Sequence, residues 1–221
     1  MSERIRQQSL AGGSTTRQGG GSAGRVIAGV ARGRRLAAPG PGTRPLGDRV
    51  KQSLFAILEP GLRDAAFLDL FAGSGAAGIE ALSRGARVAV FVERKAAVSQ
   101  VIERNLRTAG LLDPRARIVV ADVLRWLRDA ATAAGLGPFD AVVLDPPYDE
   151  PQLAARSLDA IAAAGPGVVL GAEGVAVAKH ARRTGPAPGY GLLRSIREER
   201  FGETVLTFYR WSDADEGEEV G

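Results

Sequence analysis

Apolar and polar positions along this chain follow two alternating periods. Strand-length apolar runs occupy 67–72, 87–92, 117–121, 139–144 and 174–179. Between them lie segments with apolar residues every three or four positions, at 76–84, 96–108, 123–134 and 152–164, which predict amphipathic helices. In the second of these, Val98, Val101, Ile102 and Leu106 share one face, with Glu103 and Arg107 paired on the other. Strand and helix in strict alternation imply a mainly parallel sheet covered on both faces, an α/β doubly wound fold. The last two runs, 192–199 and 204–211, flank Phe201-Gly202-Glu203 and predict a closing antiparallel hairpin. Ahead of the alternation, 25–47 mixes short β-type and basic stretches with Gly and Pro, consistent with a small hairpin. A helix is expected next, with Asp48 as N-cap, Val50, Leu54, Ile57 and Leu58 on one face, and Pro60-Gly61 as its stop. Gly85 is expected to end the helix at 76–84.

The chain divides accordingly. Residues 1–24 are rich in Gly, Ser, Thr, Gln and Arg and are expected to be disordered, because they cannot bury enough apolar surface to offset chain entropy. Residues 25–60 form the basic hairpin and helix, 61–211 the α/β domain, and 212–221 an acidic tail.

Composition narrows the chemistry. At 221 residues there is room for one sizeable core. There is no cysteine and a single histidine, His180. Disulfides and thiolate metal sites are therefore excluded, a histidine cluster or His-dependent triad is not expected, and His180 is read as structural or exposed. The N-terminus lacks the apolar core of a signal peptide, and no apolar run is long enough to span a bilayer. A cytoplasmic protein without metal or membrane is expected, acting as a monomer. Charge is unevenly placed: Arg25, Arg32, Arg34, Arg35, Arg44, Arg49 and Lys51 stand against one acid, Asp48. The tail holds Asp213, Asp215, Glu216, Glu218 and Glu219 with no base. A basic front end suits a polyanion such as RNA, although a solvated basic face is the commoner cause of such a run.

Two motifs carry chemistry. The strand at 67–72 runs into Gly73-Ser74-Gly75-Ala76-Ala77-Gly78 and then a helix. Gly73 and Gly75 permit a tight turn and close approach of a ligand, and Gly78 close packing of helix on sheet. The positive end of the helix faces whatever lies over the turn. Glu93, twenty residues beyond Gly73, sits where a ribose-binding acid belongs. This motif alone also fits a nicotinamide dinucleotide. The second motif is Val142-Val143-Leu144-Asp145-Pro146-Pro147-Tyr148. Asp145 and Pro146 precede prolines and are pushed into extended conformations, and neither proline donates a hydrogen bond. Acceptors beside the flat face of Tyr148 suit the exocyclic amine of a planar base; an ordinary proline-rich turn is the plainer alternative.

Together the motifs resemble S-adenosylmethionine-dependent amino-methyltransferases, in which an acid and glycine loop precede an Asp/Asn-Pro-Pro-aromatic motif. With the stretches 25–36, 43–55 and 80–86, the chain over about 25–210 resembles the RsmD-type 16S ribosomal RNA guanine-N2 methyltransferases. It departs from them at Leu46-Gly47, where the family usually has Thr followed by Ser, Thr or Asp. The resemblance implies the methyltransferase variant of the Rossmann-like fold, S-adenosyl-L-methionine as cofactor, and 16S ribosomal RNA or an assembling small subunit as partner. It implies that Asp69, Phe71, Ala72, Gly73, Ser74 and Gly75 line the methionine part and Glu93 holds the ribose. Asp122 would meet the adenine amine, with Val123 or Leu124 on the ring. Asp145, Pro146 and Tyr148 would handle the target base, and the seven bases above the RNA. For Glu93 and Asp122 a helix-capping role competes. Three other functions remain open at this point: an NAD-binding oxidoreductase, a methyltransferase acting on adenine N6 of DNA or another RNA, and a non-catalytic RNA-binding protein.

Overall fold

The computed structural model describes residues 22–40, 46–133 and 136–212. Residues 1–21 of the expected 1–24 tail, Arg44 and most of the acidic tail fall outside them. A two-stranded antiparallel hairpin comes first, β1 (Ser22–Arg25) with β2 (Arg35–Ala37). It begins three residues before the expected start of the hairpin unit, so Ser22–Arg25 belongs to the fold.

Helix α1 (Asp48–Leu58) follows and runs into a 3-10 turn, Glu59–Gly61, at Pro60. Asp48 is its first residue and not its cap: Gly47 holds the N-cap position and no side chain caps the helix. The Asp48 carboxylate turns instead to the hairpin, accepting the Arg25 N–H at 3.4 Å and pairing with its guanidinium at 3.3 Å.

The body then alternates as the periodicity implies. In chain order come β3 (Ala66–Leu70), α2 (Ala76–Ser83), β4 (Val88–Glu93), α3 (Ala96–Ala109), β5 (Ala116–Val120), α4 (Val123–Ala133), β6 (Phe139–Leu144) and α5 (Gln152–Ala164). They are followed by β7 (Leu170–Ala181), the two-residue β8 (Gly189–Tyr190), β9 (Leu193–Phe201) and β10 (Thr204–Trp211). The eight-stranded sheet has the order β5-β4-β3-β6-β7-β10-β9-β8. Strands β3 to β7 are mutually parallel, and β10 enters antiparallel between β7 and β9. That closing hairpin gives β7 a partner on its outer side without another crossover helix.

Strand side chains alternate between two cores. Phe67, Phe91, Val143 and Phe208 pack with Leu54, Phe55, Ile79, Ile102 and Leu106 from α1, α2 and α3. Leu68, Leu70, Val90, Leu144 and Tyr209 pack with Val123, Leu127, Leu158 and Ile161 from α4 and α5. The hairpin contributes Ala23, Val26 and Leu36 to the first core, so it is docked on that face.

Chain order reverses between β3 and β6, which are hydrogen-bonded neighbours with Leu70 opposite Leu144. The turn after Leu70 and the loop after Leu144 therefore leave the sheet side by side. A ligand crevice belongs at this switch point.

Candidate active site

The glycine turn starts with a backbone that few side chains accept. Phe71 has φ +62, in the left-handed region, followed by Gly73 at +54 and Gly75 at +75. A non-glycine residue held there costs energy and marks a place where the surrounding fold dictates the chain path. The turn is closed by Gly75 N–H to Ala72 C=O at 2.7 Å, and α2 starts from it. At Gly78 a Cβ would lie 2.3 Å from the Phe91 ring, so only glycine allows α2 to sit this close to β4.

One cavity of about 480 Å³ joins this turn to the loop after β6. Asp69, Phe71, Ala72, Gly73, Ser74, Glu93, Asp122 and Val123 line it from one side. Asp145, Pro146 and Tyr148 line it from the other. Gly75 and Leu124 are not on its wall. A Cβ on Gly75 would lie 2.9 Å from Ile102, so this residue serves the turn and the helix start, facing inward rather than towards a ligand.

The carboxylates differ in how they are held. Asp69 is buried and accepts the Gly78 N–H at 2.9 Å. Burial pushes its carboxyl up to about 8, the Gly78 bond pulls back, and the neighbouring Asp145 and Glu93 carboxylates add to the rise. Glu93 accepts the Gly73 N–H at 3.1 Å on one oxygen and the Lys95 N–H at 2.9 Å on the other. Those bonds fix its carboxylate at the end of β4, against the cavity. Asp122 accepts the Arg125 N–H at 3.0 Å, so it caps α4 as well as lining the cavity. Asp145 follows β6 directly, its N–H on Leu70 C=O at 3.3 Å.

Two residues without an expected role belong to this site. Lys179, near the end of β7, is 5% exposed, lines the cavity and donates to Asp145 Oδ1 at 2.5 Å. Its ammonium also lies 4.7 Å from the centre of the Tyr148 ring. Asn105 of α3 donates to Ser74 C=O at 2.9 Å and to Ala37 C=O at 2.9 Å, and accepts the Ala37 N–H at 2.8 Å. It ties the glycine turn to the hairpin. The signal for both was a polar residue within an otherwise apolar buried face; their partners are too far away in sequence to be read. Leu46, from the departure at Leu46-Gly47, lines the cavity with Pro39.

The basic residues separate. Arg25, Arg32, Arg34, Arg35 and Arg49 are exposed, and Arg25, Arg32 and Arg49 border a shallow groove beside α1. Lys51 is a correction: it is fully buried, donates to Arg25 C=O at 2.5 Å and lies 4.0 Å from Glu80. It holds the hairpin from inside and presents no charge to RNA. Arg44 lies outside the described residues. His180 is structural, with Nε2 2.8 Å from Thr207 Oγ1 and Nδ1 2.9 Å from Ala181 C=O. Among the described residues no group of three or more acidic or histidine side chains is set to hold a metal ion, and no helix is long and apolar enough to cross a membrane.

The family model described as "Conserved hypothetical protein 95" matches residues 24–210, which takes in all but the ends of the hairpin and of the sheet, and every wall of this cavity. The chain belongs to that family. Its relatives include YlbH of Bacillus subtilis, 38% identical over 189 residues, 84% of this chain and 98% of that protein. Ribosomal RNA small subunit methyltransferase D of Escherichia coli is 45% identical over 125 residues, 56% of this chain and 60% of that protein. Among solved structures, YhhF of Escherichia coli is similar with a TM-score of 0.72 and 34% identity, covering 86% of this chain and 98% of the other.

Proposed function

We propose that this protein transfers a methyl group from S-adenosylmethionine to the exocyclic N2 amine of a guanine in the 16S ribosomal RNA of the small subunit. The observation that carries the reading is the single cavity shared by the glycine turn and the Asp145-Pro146-Pro147-Tyr148 loop. The relatives, among them a small-subunit ribosomal RNA methyltransferase, support it.

The walls fit the cofactor. Glu93, Asp122 and Asp145 give the wall carboxylates that complement a ligand carrying an ammonium and a sulfonium, and a Cβ on Gly73 would meet only the Phe71 carbonyl, at 3.8 Å. Bound S-adenosylmethionine supplies an electrophilic methyl group on cationic sulfur. In this reading Glu93 takes the ribose hydroxyls on its remaining lone pairs, and Asp122 and Val123 border the adenine. Asp69 and the turn from Phe71 to Ser74 surround the methionine part.

A base within a duplex cannot enter such a cavity, so the target is unpaired or flipped out. Tyr148, 43% exposed, offers a stacking face. The free oxygen of Asp145 and the Pro146 carbonyl accept the two amine hydrogens, which draws the nitrogen lone pair out of ring conjugation. Most of the rate gain comes from this positioning. Asp145 need not take the proton before attack, since the product nitrogen is acidic enough to lose it during or after transfer.

The test supplies methyl-labelled cofactor with small-subunit RNA or particles lacking the modification, followed by digestion to nucleosides. Label in N2-methylguanosine is expected. Label in N6-methyladenosine, or none, would contradict the reading. The Asp145→Ala variant should still bind S-adenosylhomocysteine while transfer falls by roughly 100-fold or more.

A further inference from the structure

Lys179 is a buried ammonium to which the transfer step assigns no part. It sits on β7, next to the strand that carries the acceptor loop, and touches two members of that loop at once. Its Nζ donates to Asp145 Oδ1 at 2.5 Å and stands over the Tyr148 ring at 4.7 Å from the centroid. Nothing about solvation favours this placement, since a lysine is rarely this buried without a partner.

We propose that Lys179 is the positioning residue of the acceptor loop: it takes one carboxylate oxygen of Asp145 and one face of Tyr148, and leaves the other oxygen and the other face to the target base. This rests on the amine-methylating reading of the cavity. The pairing fixes the Asp145 rotamer, so a single oxygen points at the amine. It also covers one face of the phenol ring, so a base stacks on the other face in one orientation. A cation at this spot keeps the carboxylate charged, and a charged carboxylate can only accept hydrogen bonds. A protonated Asp145 would present a hydroxyl to the amine and spoil the acceptor geometry.

The charges around Asp145 fit that role. Burial raises its carboxyl, and Lys179 opposes the rise by charge and hydrogen bond. Burial works against the Lys179 ammonium, but Asp145 and Tyr148 outweigh it and hold it above its ordinary value. The other charged groups on the cavity are Asp69 from β3, Glu93, Arg94 and Lys95 at the end of β4, Asp122 ahead of α4, and Asp149 of the loop itself. Of these, Asp69 feels the Asp145 charge and titrates at about 8, and it is present in every Lys179 variant as well as in the parent. The comparison between variants, and not the profile of one protein, therefore isolates Lys179.

The experiment follows the Asp145 carboxyl by ¹³C NMR across pH in the full chain, its signal identified by loss in Asp145→Asn. Parallel samples carry Lys179→Met, Lys179→Gln and Lys179→Arg, with methyl transfer and S-adenosylhomocysteine affinity measured on each. Removing the charge should move the Asp145 midpoint upward. Below the shifted midpoint, transfer should fall by about tenfold for each pH unit, and it should recover as pH rises through it. Lys179→Arg should restore both, and cofactor affinity should hold throughout. An unmoved midpoint, or a loss of transfer equal at every pH, overturns the proposal. The glutamine variant answers the question should the methionine variant fail to fold. If the parent protein transfers no methyl to small-subunit RNA, the functional reading fails by itself, and the midpoint still decides the role of Lys179.

Discussion

Four carboxylates surround one cavity, and each has different partners. Glu93 has two backbone donors, Asp122 one at a helix start, Asp145 a lysine, and Asp69 only the Gly78 N–H. Asp69 consequently keeps its proton to about pH 8 in the folded chain, against an ordinary value of 3.8. Between those values the folded state binds one proton more than the unfolded chain. Its contribution to stability is thus complete below the lower value and is lost as pH rises through the upper one, by at most about 1.4 kcal/mol per pH unit. Asp69→Asn keeps an acceptor for Gly78 and removes the titration. Urea unfolding at several pH values should show a flatter stability profile from pH 5 to 8 in that variant than in the parent. At this scale the sequence was informative wherever chemistry sits in a contiguous motif. Asp145, Tyr148, Glu93 and the turn from Phe71 to Ser74 were legible because local chain geometry brings each to a strand end. Lys179 and Asn105 were not, because what gives them a role lies 34 residues away at Asp145 and 68 away at Ala37.

At the scale of elements, the hairpin is attached to the catalytic body by buried charge. Glu80 of α2, fully buried, accepts the Ile27 N–H at 2.8 Å, the Ala28 N–H at 3.0 Å and the Arg84 guanidinium at 2.8 Å, with Lys51 4.0 Å away. Ser83 adds its hydroxyl and carbonyl to the same turn, at Ala31 N–H and Val30 N–H. Gly29 passes so close that a Cβ would lie 1.8 Å from Ser83 C=O, with φ at +80. Glu80→Ala would leave the Ile27 and Ala28 amides without their acceptor, Arg84 with Glu59 alone, and the buried Lys51 without its neighbouring anion. A loss of about 3–5 kcal/mol is expected, together with proteolytic cleavage of the hairpin before the sheet opens. Cleavage at the same rate as the parent would show that Glu80 does not hold the hairpin. Helices α1 to α5, strands β3 to β7, and β9 and β10 were legible from period, with boundaries within a few residues; the two-residue β8 was not. Asp48 was misplaced as a cap because its carboxylate had a better partner in Arg25 of the hairpin, which periodicity does not reveal. Lys51 was assigned to the surface because one turn of α1 was judged by charge, whereas the docked hairpin covers it.

For the whole molecule, the sheet order places the glycine turn and the acceptor loop next to each other, and the docked hairpin sets exposed Arg32, Arg34 and Arg35 on the same body. Replacing those three arginines with alanine should weaken RNA binding and leave S-adenosylhomocysteine affinity unchanged. The slope of log K against log salt should shrink by roughly 0.7 for each phosphate no longer neutralised. Equal weakening of both affinities would refute that division of labour. The strand order itself was legible only in part: alternation implied a parallel sheet and the Gly202 turn a closing hairpin. The insertion of β10 between β7 and β9, which buries Tyr209 and completes the second core, depends on pairing between distant segments.

Everything proposed for this chain requires methyl donor and target base to meet in one cavity. A crystal structure with S-adenosylhomocysteine and a single-stranded RNA containing the target guanine would show whether they do. The thioether sulfur is expected between the Gly73 turn and Asp145, with the guanine amine on the free Asp145 oxygen and the ring against Tyr148. The amine nitrogen should lie about 3–3.5 Å from where the methyl group would be. A cofactor bound elsewhere, or a guanine held away from the Asp145 loop, would contradict the shared cavity.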